Sequence, residues 1–209
     1  KPSPIKGVNV VSPDRRPSLF QAYEHAAEMV AGVQPNQLAN PTSCPQFDVG
    51  TLIDHLVGAA HRAAAMGRGE VPTDGQFPHV ELAQAPAELR AAGQDARTAW
   101  ADAARLQATV TMPWGEVYDG ATVVDMYLTE LATHTWDLAA ATDQLARLDA
   151  DLARPALDGA RAMLRPEYRD LLEVGSPYGL EIPAPGNATS WEQLAAFMGR
   201  QPRAGASTG

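Results

Sequence analysis

The sequence predicts an all-α protein: an antiparallel four-helix bundle, with a short β-hairpin ahead of its fourth helix and a small C-terminal helical appendage. Apolar residues recur at intervals of three and four along four long segments, and Gly- and Pro-rich breaks separate them. One short stretch alternates instead with the two-residue period of a strand. At 209 residues the chain can bury one substantial core, enough for a single domain with an elaborated end.

Residues 1–17 are rich in Pro and charge and are expected to form a flexible tail. A first helix follows, with Ser18 as its cap and Leu19, Tyr23, Ala26, Ala27 and Val30 on its apolar face, ending before Gly32 and Pro35. Asp48 caps the second, which carries Leu52, Leu56, Ala59, Ala63 and Met66 to about Gly67. The connection Gly67–Pro78 holds too many breakers for a regular element, and its length suits a lid or a pocket wall. Leu89, Ala92, Ala96, Trp100 and Ala103 predict a third helix from Pro86 to about Leu106. The hairpin spans 108–120 about Pro113-Trp114-Gly115, and the fourth helix runs from about Ala121 to Thr142.

Beyond it, a helix is expected from roughly Asp149 to Leu172, with Pro155 and Pro166 as possible break points. A Pro/Gly segment from Gly175 to Gly186 leads to a short capped helix at Ser190–Arg200, with Gly199 near its end. The expected division is a bundle over 18–145, an extension packed on it over 146–203, and a flexible tail over 204–209.

A formal charge of −9 argues against nucleic acid or an anionic membrane surface as partner. No apolar run approaches the roughly 20 residues of a membrane span, and the amino end has no signal-peptide pattern, so a cytoplasmic protein is expected. Homodimerisation stays open. Cys44, the single cysteine, excludes an internal disulfide and a Cys-rich metal cluster. It precedes the second helix, where a thiol can be activated, but a packed turn residue is the expected role.

Glu130 and His134 stand four residues apart in the fourth helix and share one face with Val123, Tyr127 and Ala141. An inward carboxylate needs a partner, because its desolvation costs several kcal/mol, on the order of what an ion pair or a metal returns. His55, on the apolar stripe of the second helix, is the natural one. Two imidazoles and a carboxylate make a three-ligand set suited to zinc, with a fourth position for water or substrate. Spacing alone leaves a buried hydrogen-bonded trio as an equal alternative. His61 faces away from His55; His25 lies off its helix's apolar stripe and His79 sits in the long connection, and these two are expected in solvent. Asp137 lies one turn beyond His134 and is placed to hold a ligand imidazole. Arg62 is a candidate contact for an anionic substrate, and Tyr127, Trp100, Trp114 and Trp136 are candidate pocket aromatics, each weighed against a core role.

Thr42-Ser43-Cys44-Pro45-Gln46-Phe47-Asp48-Val49 leading into Asp54-His55-Leu56, followed by Glu130-Leu131-Ala132-Thr133-His134-Thr135-Trp136-Asp137-Leu138-Ala139, resembles the mycothiol-dependent maleylpyruvate isomerase amino-terminal family, within the wider DinB-like group of metalloenzymes. The resemblance covers about Leu19 to Arg203. The stretch from Ile182 to Arg200 is similar to the ending of a shorter actinobacterial branch rather than to the larger second domain of the isomerase. The family's usual Trp before the capping Asp is here Phe47.

The resemblance implies a DinB-like bundle with a divalent metal, of zinc type, on His55, Glu130 and His134. It also implies mycothiol as thiol cosubstrate, for S-transfer to or isomerisation of a small electrophile. The competing class is a noncatalytic DinB-like metal-binding or stress-response protein whose metal is structural.

Overall fold

Six α-helices and one two-stranded sheet make up the residues described in this computed structural model, 13–73, 77–164 and 179–201. Helix α1 spans Arg16–Ala31 and buries Leu19, Tyr23, Ala26, Ala27 and Val30, the expected stripe. Its start differs from expectation. Ser18 does not cap it; the helix begins three residues earlier, at Arg16, Pro17 falls in its first turn, and Asp14 Oδ1 accepts the Arg16 N–H at 3.0 Å. Helix α2, Val49–Gly67, begins as predicted, with the Thr51 N–H donating to Asp48 Oδ1 at 2.8 Å.

Helix α3 covers Ala85–Ala99 and stops short of Leu106. Two contacts end it there. The Arg16 guanidinium donates to the Trp100 and Ala101 carbonyls at 2.7 and 3.0 Å, and Asp102 accepts the Ala104 N–H to start a separate 3-10 turn at Ala103–Leu106. Strands β1, Thr109–Thr111, and β2, Val117–Asp119, pair antiparallel with Val110 opposite Tyr118, as the alternation predicts. Gly115, at φ 91°, supplies the left-handed turn residue.

Helix α4, Gly120–Ala141, is capped by Asp119 and buries seventeen of its twenty-two residues. It is covered on nearly every side, so every charge on it has to be paired. Helix α1 packs on α3 and α4, α2 packs on the same two, and α1 and α2 barely touch. Helix α5, Ala150–Met163, lies against α4 and passes through Pro155 without breaking. The carbonyl that Pro155 frees belongs to Asp151, which is exposed to water. Helix α6, Ser190–Phe197, packs on α5 and starts with a capping box between Thr189 and Glu192.

The architecture is all-α with a small sheet, consistent with a DinB-like fold. The expected tail up to residue 12, the helix beyond Leu164 with Pro166, the start of the Gly175–Gly186 segment and the carboxyl-terminal tail lie outside the described residues.

Candidate metal centre

Helices α2 and α4 pack side by side and bring His55, Glu130 and His134 together, with one donor atom from each inside a 4.8 Å span. His55 Nε2 lies 2.6 Å from Glu130 Oε1, and His134 Nε2 lies 3.5 Å from the same oxygen. The other nitrogen of His134, Nδ1, is 3.0 Å from Asp137 Oδ2, the contact expected of a residue that orients an imidazole. Asp137 is gripped in turn by Arg200, whose Nε and Nη2 donate to Oδ1 and Oδ2 at 3.1 and 2.9 Å. Phe47 lies over His55 with ring centroids 4.9 Å apart, and Phe77 meets the same imidazole edge-on at 5.2 Å.

Charge is distributed accordingly. Burial pushes the Glu130 carboxyl up, but His134 and His55 outweigh it and hold the group well below the ordinary carboxylate range. Burial pushes His134 down, whereas Glu130 and Asp137 raise it, with a net rise to about 9. Asp137 is raised by burial and lowered further by His134 and Arg200, ending below its ordinary value.

The residues fit a divalent cation. Among the described residues His134 Nε2 is buried and makes no hydrogen bond, with the Glu130 carboxylate 3.5 Å away, while Nδ1 is committed to Asp137. Two imidazole nitrogens and a carboxylate oxygen converge within 4.8 Å of one another, the spacing a shared cation requires. The donor set is the one zinc sites use.

The centre opens past His55 and Glu130. His134 has no exposed side-chain surface, whereas His55 and Glu130 keep 19% and 16% and form the end of a cavity of about 230 Å³. Ala59, Arg62, Phe77, Met112, Trp114, Met126 and Tyr127 line the rest. Phe77 comes from the long connection after α2, which is therefore a pocket wall, and it can lie against α2 because residue 58 is Gly; a Cβ there would meet the ring at 1.9 Å. Arg62 stacks on Phe77 with its guanidinium carbon 4.5 Å from the ring centre. Burial raises the Tyr127 phenol far above its usual range, so it stays protonated.

Other expectations divide. Trp114 is at the cavity, but Trp100 and Trp136 are core residues, fully or almost fully buried. His61 and His79 are exposed, as expected. His25 is not in solvent: it is buried beside Trp191, and its Nε2 accepts the Asp149 N–H at 3.2 Å, because the start of α5 folds back over α1. Cys44 is fully buried, and burial raises its thiol pKa, so it is a packed residue and no ready thiolate.

A profile of the mycothiol maleylpyruvate isomerase N-terminal domain matches residues 19–139, more than half of the chain. The chain belongs to this family. The match contains all three donors and Asp137. Two proteins from different strains of Mycobacterium tuberculosis, each described as uncharacterized, are 33% identical over 183 residues, covering 88% of this chain and 96% of each relative. No solved structure matches the chain. Within the family, Arg200 and the cavity residues Phe77, Met112 and Met126 are what sequence reasoning missed. An inward Asp137 on a helix with no basic residue in its last turn was the available signal that a cation had to arrive from elsewhere.

Proposed function

We propose that the chain is a metal-dependent enzyme that uses a low-molecular-weight thiol, mycothiol, for S-transfer to or isomerisation of a small electrophile. The observation that carries this is the convergence of one donor atom each from His55, Glu130 and His134 within 4.8 Å, with His55 and Glu130 lining a cavity. His55, Glu130 and His134 are the proposed ligands. When bound, a divalent ion such as zinc supplies a positive charge that lowers the pKa of an incoming thiol. The remaining work falls to the chain. Asp137 keeps the His134 ring oriented, Phe47 and Phe77 pack against the His55 ring, and the protonated Tyr127 phenol and the Arg62 guanidinium face the substrate.

The cavity supports a compact, mostly apolar electrophile, with Arg62 among its lining residues to meet an acidic group. Helices α1–α4 are the proposed DinB-like antiparallel bundle over 18–145, with 146–203 as its extension, in a cytoplasmic protein.

The test is elemental analysis of untagged protein, followed by cobalt substitution. One ion per chain and a sulfur-to-cobalt charge-transfer band on adding mycothiol are expected. Bound cobalt with no band at saturating thiol would replace this reading with a noncatalytic protein holding a structural metal, whose fourth position the protein fills.

A further inference from the structure

Asp137 has no exposed surface, and both of its oxygens are committed: Oδ2 to His134 Nδ1 and to Arg200 Nη2, and Oδ1 to Arg200 Nε. A carboxylate held by a guanidinium fork cannot rotate, which a single-point cation would allow. Arg200 is itself anchored, donating from Nη1 to the Met198 carbonyl at 2.9 Å. Its approach is set by a helix ending. Gly199 takes φ 78°, the Gly199 N–H donates to Ala196 O at 3.0 Å and the Arg200 N–H to Ala195 O at 2.8 Å, a Schellman turn that directs the next side chain back under α6. A side chain at 199 would be strained in that conformation and would also meet Gly179 Cα at 2.6 Å.

We infer that Arg200 is a positioning residue of the candidate metal centre: it locks Asp137, and through Asp137 fixes the ring of His134 with Nδ1 engaged and Nε2 facing Glu130 and His55. The inference rests on the metal reading above but deepens it, because Arg200 lies 63 residues from Asp137 and outside the 19–139 family match. The α6 segment thereby belongs to the centre and is more than a cover for α5. Outer partners of ligand histidines of this kind are worth about 10–100-fold in metal affinity.

The experiment uses the full chain and compares wild type with Arg200→Gln, Arg200→Lys, Asp137→Asn and the Asp137→Asn/Arg200→Gln double variant. Zinc affinity is read by chelator competition, and the His134 Nδ1–H proton by NMR in both zinc-loaded and metal-free protein. Arg200→Gln is expected to weaken zinc about tenfold or more, with Lys in between. The double variant should bind no more weakly than Asp137→Asn alone, since both changes act through one path. The Nδ1–H resonance should be slow to exchange in wild type and lost in Arg200→Gln. A folded Arg200→Gln protein with affinity within about twofold of wild type and an unchanged resonance overturns the inference. Should Arg200→Gln fail to fold, parity of Arg200→Lys with wild type in both readouts overturns it equally. If wild type takes up no zinc, the metal reading fails, and the resonance in the metal-free variants alone decides the relay.

Discussion

Metal uptake at this centre should release a proton from His134 and strengthen with pH. In the metal-free chain, Glu130 and Asp137 outweigh burial and raise His134 to about 9. At pH 7, two units lower, about one chain in a hundred has the neutral ring that a metal requires, so apparent affinity sits about 100-fold, or ~2.7 kcal/mol, below its plateau. Its logarithm should climb by about one per pH unit from 7 to 8, by about half that rate near 9, and then flatten. Glu130 adds no proton, because its carboxyl is already ionised. Chelator competition in half-unit pH steps measures the slope, and calorimetry in two buffers of different protonation enthalpy counts the protons. Affinity that is flat from pH 7 to 9, or release well below one proton, would refute the electrostatic picture of His134.

Stability without metal should move the other way. A histidine raised above its unfolded value of about 6.5 adds stability that is complete below that pH and is lost as pH rises through about 9, on the order of 3 kcal/mol. Urea midpoints of the metal-free chain should therefore fall across that window; a rise would mean the sign is wrong.

His134→Ala should abolish stoichiometric zinc by elemental analysis, and one ion per chain after the change would show the donors to be misassigned. Metal-free wild type should keep its helical circular dichroism, since the core clusters apolar residues from α1 to α6 and does not depend on three donors; a collapse of that signal would make the ion a folding staple. Cys44→Ser should retain zinc and turnover while losing about 1 kcal/mol or more in a thermal melt, because it buries a hydroxyl in place of a thiol; lost turnover with metal and fold intact would make Cys44 the nucleophile. Gly58→Ala should push Phe77 off the cavity wall and cost about 1–3 kcal/mol by overpacking, and an unchanged urea midpoint would show that Phe77 does not lean on that glycine.

Helix spacing placed His55, Glu130 and His134 on inward faces, and the structure brings their donor atoms together. Asp137, one turn further on, was legible for the same reason. Spacing said less where α4 is buried on nearly every side, because a helical wheel then has no solvent face to set against the core. His25 shows the converse. It lies off its own helix's apolar stripe, and only the backbone of Asp149, 124 residues later, explains why it is buried. The early end of α3 has the same origin, a guanidinium from α1 taking the carbonyls of Trp100 and Ala101 just beyond it.

By itself the sequence determined where the main helices and the hairpin lie, the cap at Asp48 and a helix end near Gly199, though not the start of α1 or the end of α3. It also determined which three donors face inward. The tertiary structure alone decided that Phe77 walls the cavity and that Arg200 reaches Asp137. Those contacts join segments far apart in the chain, and no local period encodes which distant side chain balances a buried charge; that is settled only when packing removes water and brings Arg200 onto the carboxylate.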